Sequence, residues 1–150
     1  MNDNINKTVN EILESYSKHE QTCRLSEDNI INKSVLIRVL EEIRKLLFPG
    51  YFDKNRVREE YIGYIVGDRI EFIQYNLKKQ IAKALKGCEK CNDLSYDEVM
   101  EKSEKLVYEF LSKIPSIRDY LATDVVAAFN GDPAAYSTDE IILCYPGFFA

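Results

Sequence analysis

The chain has 150 residues, 45% apolar and 30% charged, with a formal net charge of −5. A chain of this mass should bury roughly 70% of its unfolded surface, and 10 Tyr and 7 Phe beside only 6 Gly and 4 Pro exclude disordered or collagen-like classes. No apolar run nears the roughly 20 residues that span a bilayer, and an acidic chain with no basic surplus is a poor partner for nucleic acid.

Helical spacing dominates in chain order. Ile5, Val9, Ile12, Leu13 and Tyr16 predict a first helix over about 4–19. A second is predicted from about Asn32 to Leu47, with a wide stripe of Val35, Leu36, Val39, Leu40, Ile43, Leu46 and Leu47. Phe48-Pro49-Gly50-Tyr51 should end it, because the residue before proline avoids the helical region. The longest pattern runs Val57, Tyr61, Ile62, Ile65, Ile70, Ile73, Leu77, Ile81, Ala84 and Leu85. As one helix to Lys86 it would be about 45 Å long at 1.5 Å per residue. Gly63 and Gly67 fall on one face of it and suggest close helix packing there, and Gly87 is a natural stop.

Ser95-Tyr96-Asp97-Glu98 has the form of a capping box opening a helix to about Ile114. Pro115 should break that helix, and Ser116 should cap another that runs to about Asn130 and stops at Gly131-Asp132-Pro133. Ser137-Thr138-Asp139-Glu140 forms a second box, leading into Ile141-Ile142-Leu143-Cys144. Alternating strand patterns, repeats and low-complexity tracts are absent. The expectation is an all-α chain: a bundle of five to six helices, one of them long, forming a single domain over 1–150. Residues 1–35 are expected as a loosely packed N-terminal extension.

Cys88-Glu89-Lys90-Cys91 could be half of a zinc site or a redox dithiol. A structural zinc site needs four ligands, and Cys23, Cys144 and the single His19 are scattered, so the pair is read as loop thiols and no metal site is expected. Four cysteines behind a start that lacks a signal peptide fit a reducing, cytoplasmic setting. Lys79, Lys83, Lys86 and Lys90 form a helical stripe, read as a solvated face without accompanying aromatics. His19 suits a favourable helix-end contact better than catalysis. The tyrosines are read as mostly core or half-buried positions, with phenols available to an interface.

Acidity is concentrated late. Residues 101–150 carry 4 basic and 8 acidic side chains, and no Lys or Arg follows Arg118. Asp119, Asp139 and Glu140 are explained by the first turns of helices. Asp132 precedes proline in a turn, and with no basic neighbour in sequence its carboxylate is available to an amine.

The stretch from Leu121 through Asp124, Gly131-Asp132-Pro133-Ala134-Ala135, Ser137 and Glu140 to Tyr145-Pro146-Gly147 closely resembles the N-terminal helical domain of bacterial serine O-acetyltransferases. Leu46-Leu-Phe-Pro-Gly-Tyr-Phe52 and Gln80-Ile-Ala-Lys-Ala-Leu85 are similar to earlier landmarks of a long-N-terminus branch. The resemblance implies transfer of acetyl from acetyl-CoA to L-serine in cysteine biosynthesis. It also implies a helical domain that joins trimers into a dimer of trimers, followed by a left-handed β-helix. Asp132 takes the place of the serine-binding Asp of the Asp-Pro-Ala motif. The catalytic His, its Asp partner, the carboxylate-binding Arg and the acetyl-CoA groove belong to the β-helix part, as does the tail that docks O-acetylserine sulfhydrylase. No hexapeptide repeats occur in these residues, so no catalytic residue and no cofactor is assigned within them, and alone they are expected to be inactive. The rival reading is a stand-alone helical interaction module without catalytic role. A weaker one is a thiol or zinc module on Cys88 and Cys91.

Overall fold

Local hydrogen-bonding devices set the N-termini of the helices that begin at Lys33, Tyr96 and Thr138. The computed structural model describes residues 2–23, 30–56, 58–88, 91 and 93–149. Its helices are α1 (Asn2–Lys18), α2 (Lys33–Leu47), α3 (Ile62–Lys86), α4 (Tyr96–Leu111), α5 (Ile114–Gly131), α6 (Thr138–Cys144) and the single turn α7 (Pro146–Phe149). Short 3-10 turns occupy Glu20–Thr22 and Glu59–Tyr61. No strand occurs among the described residues, and the all-α reading holds.

Asn32 caps α2 by accepting the Val35 N–H at 3.2 Å, and its own N–H donates to the buried Gln80 of α3 at 2.7 Å. The cap is thereby docked onto the neighbouring helix. At the other end of α2, the Phe48 N–H returns to Arg44 and the chain turns at Gly50. Gly50 has φ +87, a conformation that needs a residue without Cβ. Its N–H donates to Asp53 at 3.2 Å. Arg69, buried in α3, grips the same Asp53 and also lies 3.4 Å from Glu42 of α2. One guanidinium thus ties the turn to two helices.

α3 is the central helix, packed against α2 and α4, while α5 packs on α6 and touches α2. Val39, Ile73, Ala82, Val99 and Val107 are buried along the first three of these. A second core joins Phe48, Val125, Ile141 and Ile142, ringed by Tyr51, Leu121, Phe129 and Tyr145. Two of the three stretches that carry the sequence resemblance, 46–52 and 121–147, contribute to it.

Several expectations change. The long third pattern is not one helix from 57: α3 begins at Ile62 after a 3-10 turn, and Val57 lies outside the described residues. At 25 residues it is about 38 Å long. Gly63 and Gly67 are exposed, and a Cβ at either would meet nothing within 4 Å, so they do not mediate close packing in this chain. Pro115 begins α5 rather than ending α4, because a first-turn residue needs no N–H partner. Ser116 lies inside that helix with its hydroxyl on the Lys113 carbonyl, so it is no cap, and Asp119 falls beyond the first turn. Leu40 faces outward at 63% exposure.

The tyrosines depart furthest from expectation. Eight of the ten are exposed, and only Tyr51 and Tyr145 are half-buried. The lysine stripe is also less bland than expected: Lys79 lies over Tyr75 and Lys86 over Tyr96, while Lys83 donates to the Ile30 carbonyl. Lys90 lies outside the described residues.

Candidate functional site

The two half-buried tyrosines are the two whose phenols hold carboxylates. Asp132 ends α5 with extended backbone, its N–H still bonded to the Ala128 carbonyl at 3.1 Å. Pro133 cannot continue the helix, and the chain folds back so that the Ala134 N–H donates to Asp132 Oδ1 at 2.9 Å. The Ala135 N–H donates to the Asp132 carbonyl at 3.1 Å. The other carboxylate oxygen accepts the hydroxyl of Tyr145, which closes α6. Asp132 therefore bridges the ends of two helices, and its orientation is set from both.

The intervening turn is as well satisfied. Ser137 caps α6 by accepting the Glu140 N–H at 3.2 Å. The reciprocal arm of the predicted box is displaced by one residue: Glu140 accepts the N–H of Tyr136, not that of Ser137, at 2.9 Å. Asp139 accepts the Tyr51 hydroxyl at 2.6 Å, which links α6 to the turn after α2.

These contacts set the charges. The Tyr145 hydroxyl and then the Ala134 N–H hold the Asp132 carboxyl below its usual range. Asp132 in turn pushes the Tyr145 phenol up to about 12. Tyr51 is raised by its bond to Asp139. At neutral pH the site is an ionised carboxylate beside a neutral phenol. A carboxylate stabilised in this way is a weak base but a good partner for a cation. Among the described residues no Lys or Arg is paired with it.

The remaining candidates do not converge on this place. His19 follows α1, and Asp119 and Asp124 lie exposed on α5. Cys88 is exposed and Cys91 half-buried, joined by a backbone bond of 2.8 Å. Among the described residues no group of three or more His, Cys, Asp or Glu is placed to hold a metal. Two apolar grooves border Arg118: one of about 290 Å³ near Phe48, Val125 and Ile142, and one of about 400 Å³ near Leu46, Ile70 and Leu111. Neither is lined by Asp132.

Tyr145, Tyr51 and Arg69 escaped sequence reasoning. The first two sit where an aromatic residue follows or borders a helix end beside proline, a faint signal at best. Arg69 had none, since it reads as one cation in a charged helix.

No protein-family model matches the sequence. The chain is 30% identical over 115 residues to a protein of Synechococcus elongatus described as "Serine acetyltransferase, plasmid". The match takes in 75% of this chain and 36% of that protein, so the chain spans about a third of its relative's length.

Proposed function

From a chain that carries part of the serine acetyltransferase family's sequence, we propose a helical assembly region that also contributes Asp132 to a serine site. In this reading the enzyme transfers acetyl from acetyl-CoA to the hydroxyl of L-serine, as a cytoplasmic step toward cysteine. The observation that carries the site is the Asp132 carboxylate. It is ionised, fixed by Tyr145 and Ala134, and has no cationic partner among the described residues. Serine's ammonium is a group that such a carboxylate would hold by charge-assisted hydrogen bonding.

Acyl transfer needs a base within reach of the serine hydroxyl, and no imidazole stands beside Asp132. The base and the acetyl-CoA groove would come from other parts of the enzyme, and these residues alone are not expected to catalyse. Asp132 is then a binding and orienting group rather than the proton acceptor.

Exposed apolar side chains support the assembly role: Ile37 and Leu40 on α2 and Val126 on α5 stay 46–63% exposed. Trimers, or a dimer of trimers, are the proposed state, and docking of O-acetylserine sulfhydrylase would involve a tail outside these residues.

The test is Asp132→Asn in an enzyme that includes the acetyl-CoA-binding part. The Michaelis constant for serine should rise at least about tenfold while that for acetyl-CoA stays unchanged. Unchanged KM and kcat for serine would overturn the assignment.

A further inference from the structure

We propose that the groove between α3 and the α4–α5 turn binds a small organic anion, an apolar body carrying one carboxylate, with Arg118 as its anchor. The recess follows from the direction of the chain. Residues 112–113 turn it between α4 and α5, and α5 then runs to α2 and α6 without extended contact with α3. This leaves a recess of about 400 Å³, walled by Leu46 of α2, Val66 and Ile70 of α3, and Leu111 and Ile114 beside the turn. That volume is in the range of small-molecule sites, which are mostly apolar with a few polar groups that orient the ligand.

Charge decides which ligand fits. The charged side chains at the recess are Lys45, Arg69 and Arg118, and no Asp or Glu lines it. All three are donors without acceptor capacity, so an ammonium group has no side-chain partner there and an oxyanion has. Two of the cations are already engaged: Lys45 pairs with Glu42, and the buried Arg69 is held by Asp53 and Glu42. Arg118 has no ion pair or ring contact among the described residues. Its planar guanidinium suits a bidentate carboxylate.

Arg118 also borders the second groove, of about 290 Å³. That groove is smaller and is bordered by Tyr51, whose hydroxyl is already donated to Asp139, so the larger recess is the better host for an apolar body. Asp132 borders neither groove, and the inference does not depend on the proposed serine contact.

The experiment is isothermal titration calorimetry of the whole 150-residue chain with 4-phenylbutyrate. For a ligand of about 12 non-hydrogen atoms a dissociation constant of about 0.1–1 mM is expected. Three further probes separate head from body. The neutral 4-phenylbutanol should bind at least about tenfold more weakly, and 4-phenylbutylamine and acetate should show no measurable binding. Arg118→Gln should weaken 4-phenylbutyrate at least about tenfold. Ile70→Trp, which places a ring in the recess from a position 39% exposed, should abolish binding. Ala122→Trp, which fills the second groove, should leave it unchanged. Urea midpoints report whether each variant keeps its fold, and if Ile70→Trp does not, Arg118→Gln decides.

Equal affinity for the acid and for the alcohol or the amine would overturn the proposal. Binding indifferent to Arg118→Gln, or lost only with Ala122→Trp, would do the same, as would a parent chain that binds none of the probes. If Ile70→Trp lowers the sedimenting mass while no acid binds the parent chain, a second copy covers the recess and the proposal falls.

Discussion

α1 and the corner between α5 and α6 both carry isoleucines on one helical face and have opposite relations to water. In α1, Ile5, Val9, Ile12 and Leu13 share a face and remain exposed. At the corner, Ile141 is wholly buried and Ile142 nearly so, and the surrounding polar groups are paired: Asp132 with Tyr145 and Ala134, Asp139 with Tyr51. Helical periodicity identifies which side chains share a face. Whether anything covers that face depends on residues far away in sequence, such as Phe48, 93 positions before Ile141.

That contrast can be broken in order of effect. Ile141→Ala should cost up to about 5 kcal/mol in denaturant unfolding, since a buried Ile leaves a cavity among Phe48, Val125 and Ile142. A loss under about 1 kcal/mol would mean the corner is as open as α1. Arg69→Met should cost about 3 kcal/mol, because Asp53, its side chain only 9% exposed, is left without its cation. The figure sits at the low end because Glu42 keeps its partner Lys45. Urea midpoints at constant slope are the measurement.

Tyr145→Phe acts through charge. It removes the principal contact that lowers the Asp132 pKa, so the carboxyl should titrate closer to its ordinary value, observable by NMR. A folded pKa below the unfolded one stabilises above the unfolded value and is lost as pH falls through the folded one. The stability advantage of the parent chain over the variant should therefore be full above about pH 4 and disappear as pH falls through the lowered Asp132 pKa. Tyr145 supplies the converse, since its folded pKa is raised from 10.0 to about 12. Its contribution is complete below pH 10 and vanishes as pH rises through about 12, and ultraviolet titration should show one phenol in the parent chain that ionises only there. The smallest effect is expected for Ile12→Ala, under about 0.5 kcal/mol on unfolding of α2–α6, because Ile12 stays 45% exposed.

The sequence was legible wherever a neighbour in the chain supplies the interaction. Ser95 caps α4 and Glu98 returns to it, as their spacing required. Asp132 stood out because proline follows it and no cation stands near in sequence. Pro115 misled, since proline can end one helix or start the next, and only the two-residue turn at 112–113 decides between them. The tyrosines misled for a related reason: an amphipathic residue reads as core by composition, yet eight stay exposed. Arg69 and Tyr145 were invisible because their partners, Asp53 and Asp132, are reached by folding.

The amino-acid sequence by itself determined the all-α class, most helix ends, the acidic C-terminal third and the prominence of Asp132. These rest on interactions spanning a few residues, where geometry is dictated by helix period and cap chemistry. Tertiary structure alone decided which apolar stripes are buried, which tyrosines hold carboxylates, and that Asp132 is clasped from two helix ends. Those depend on long-range contacts whose free energy appears only when distant segments are brought together.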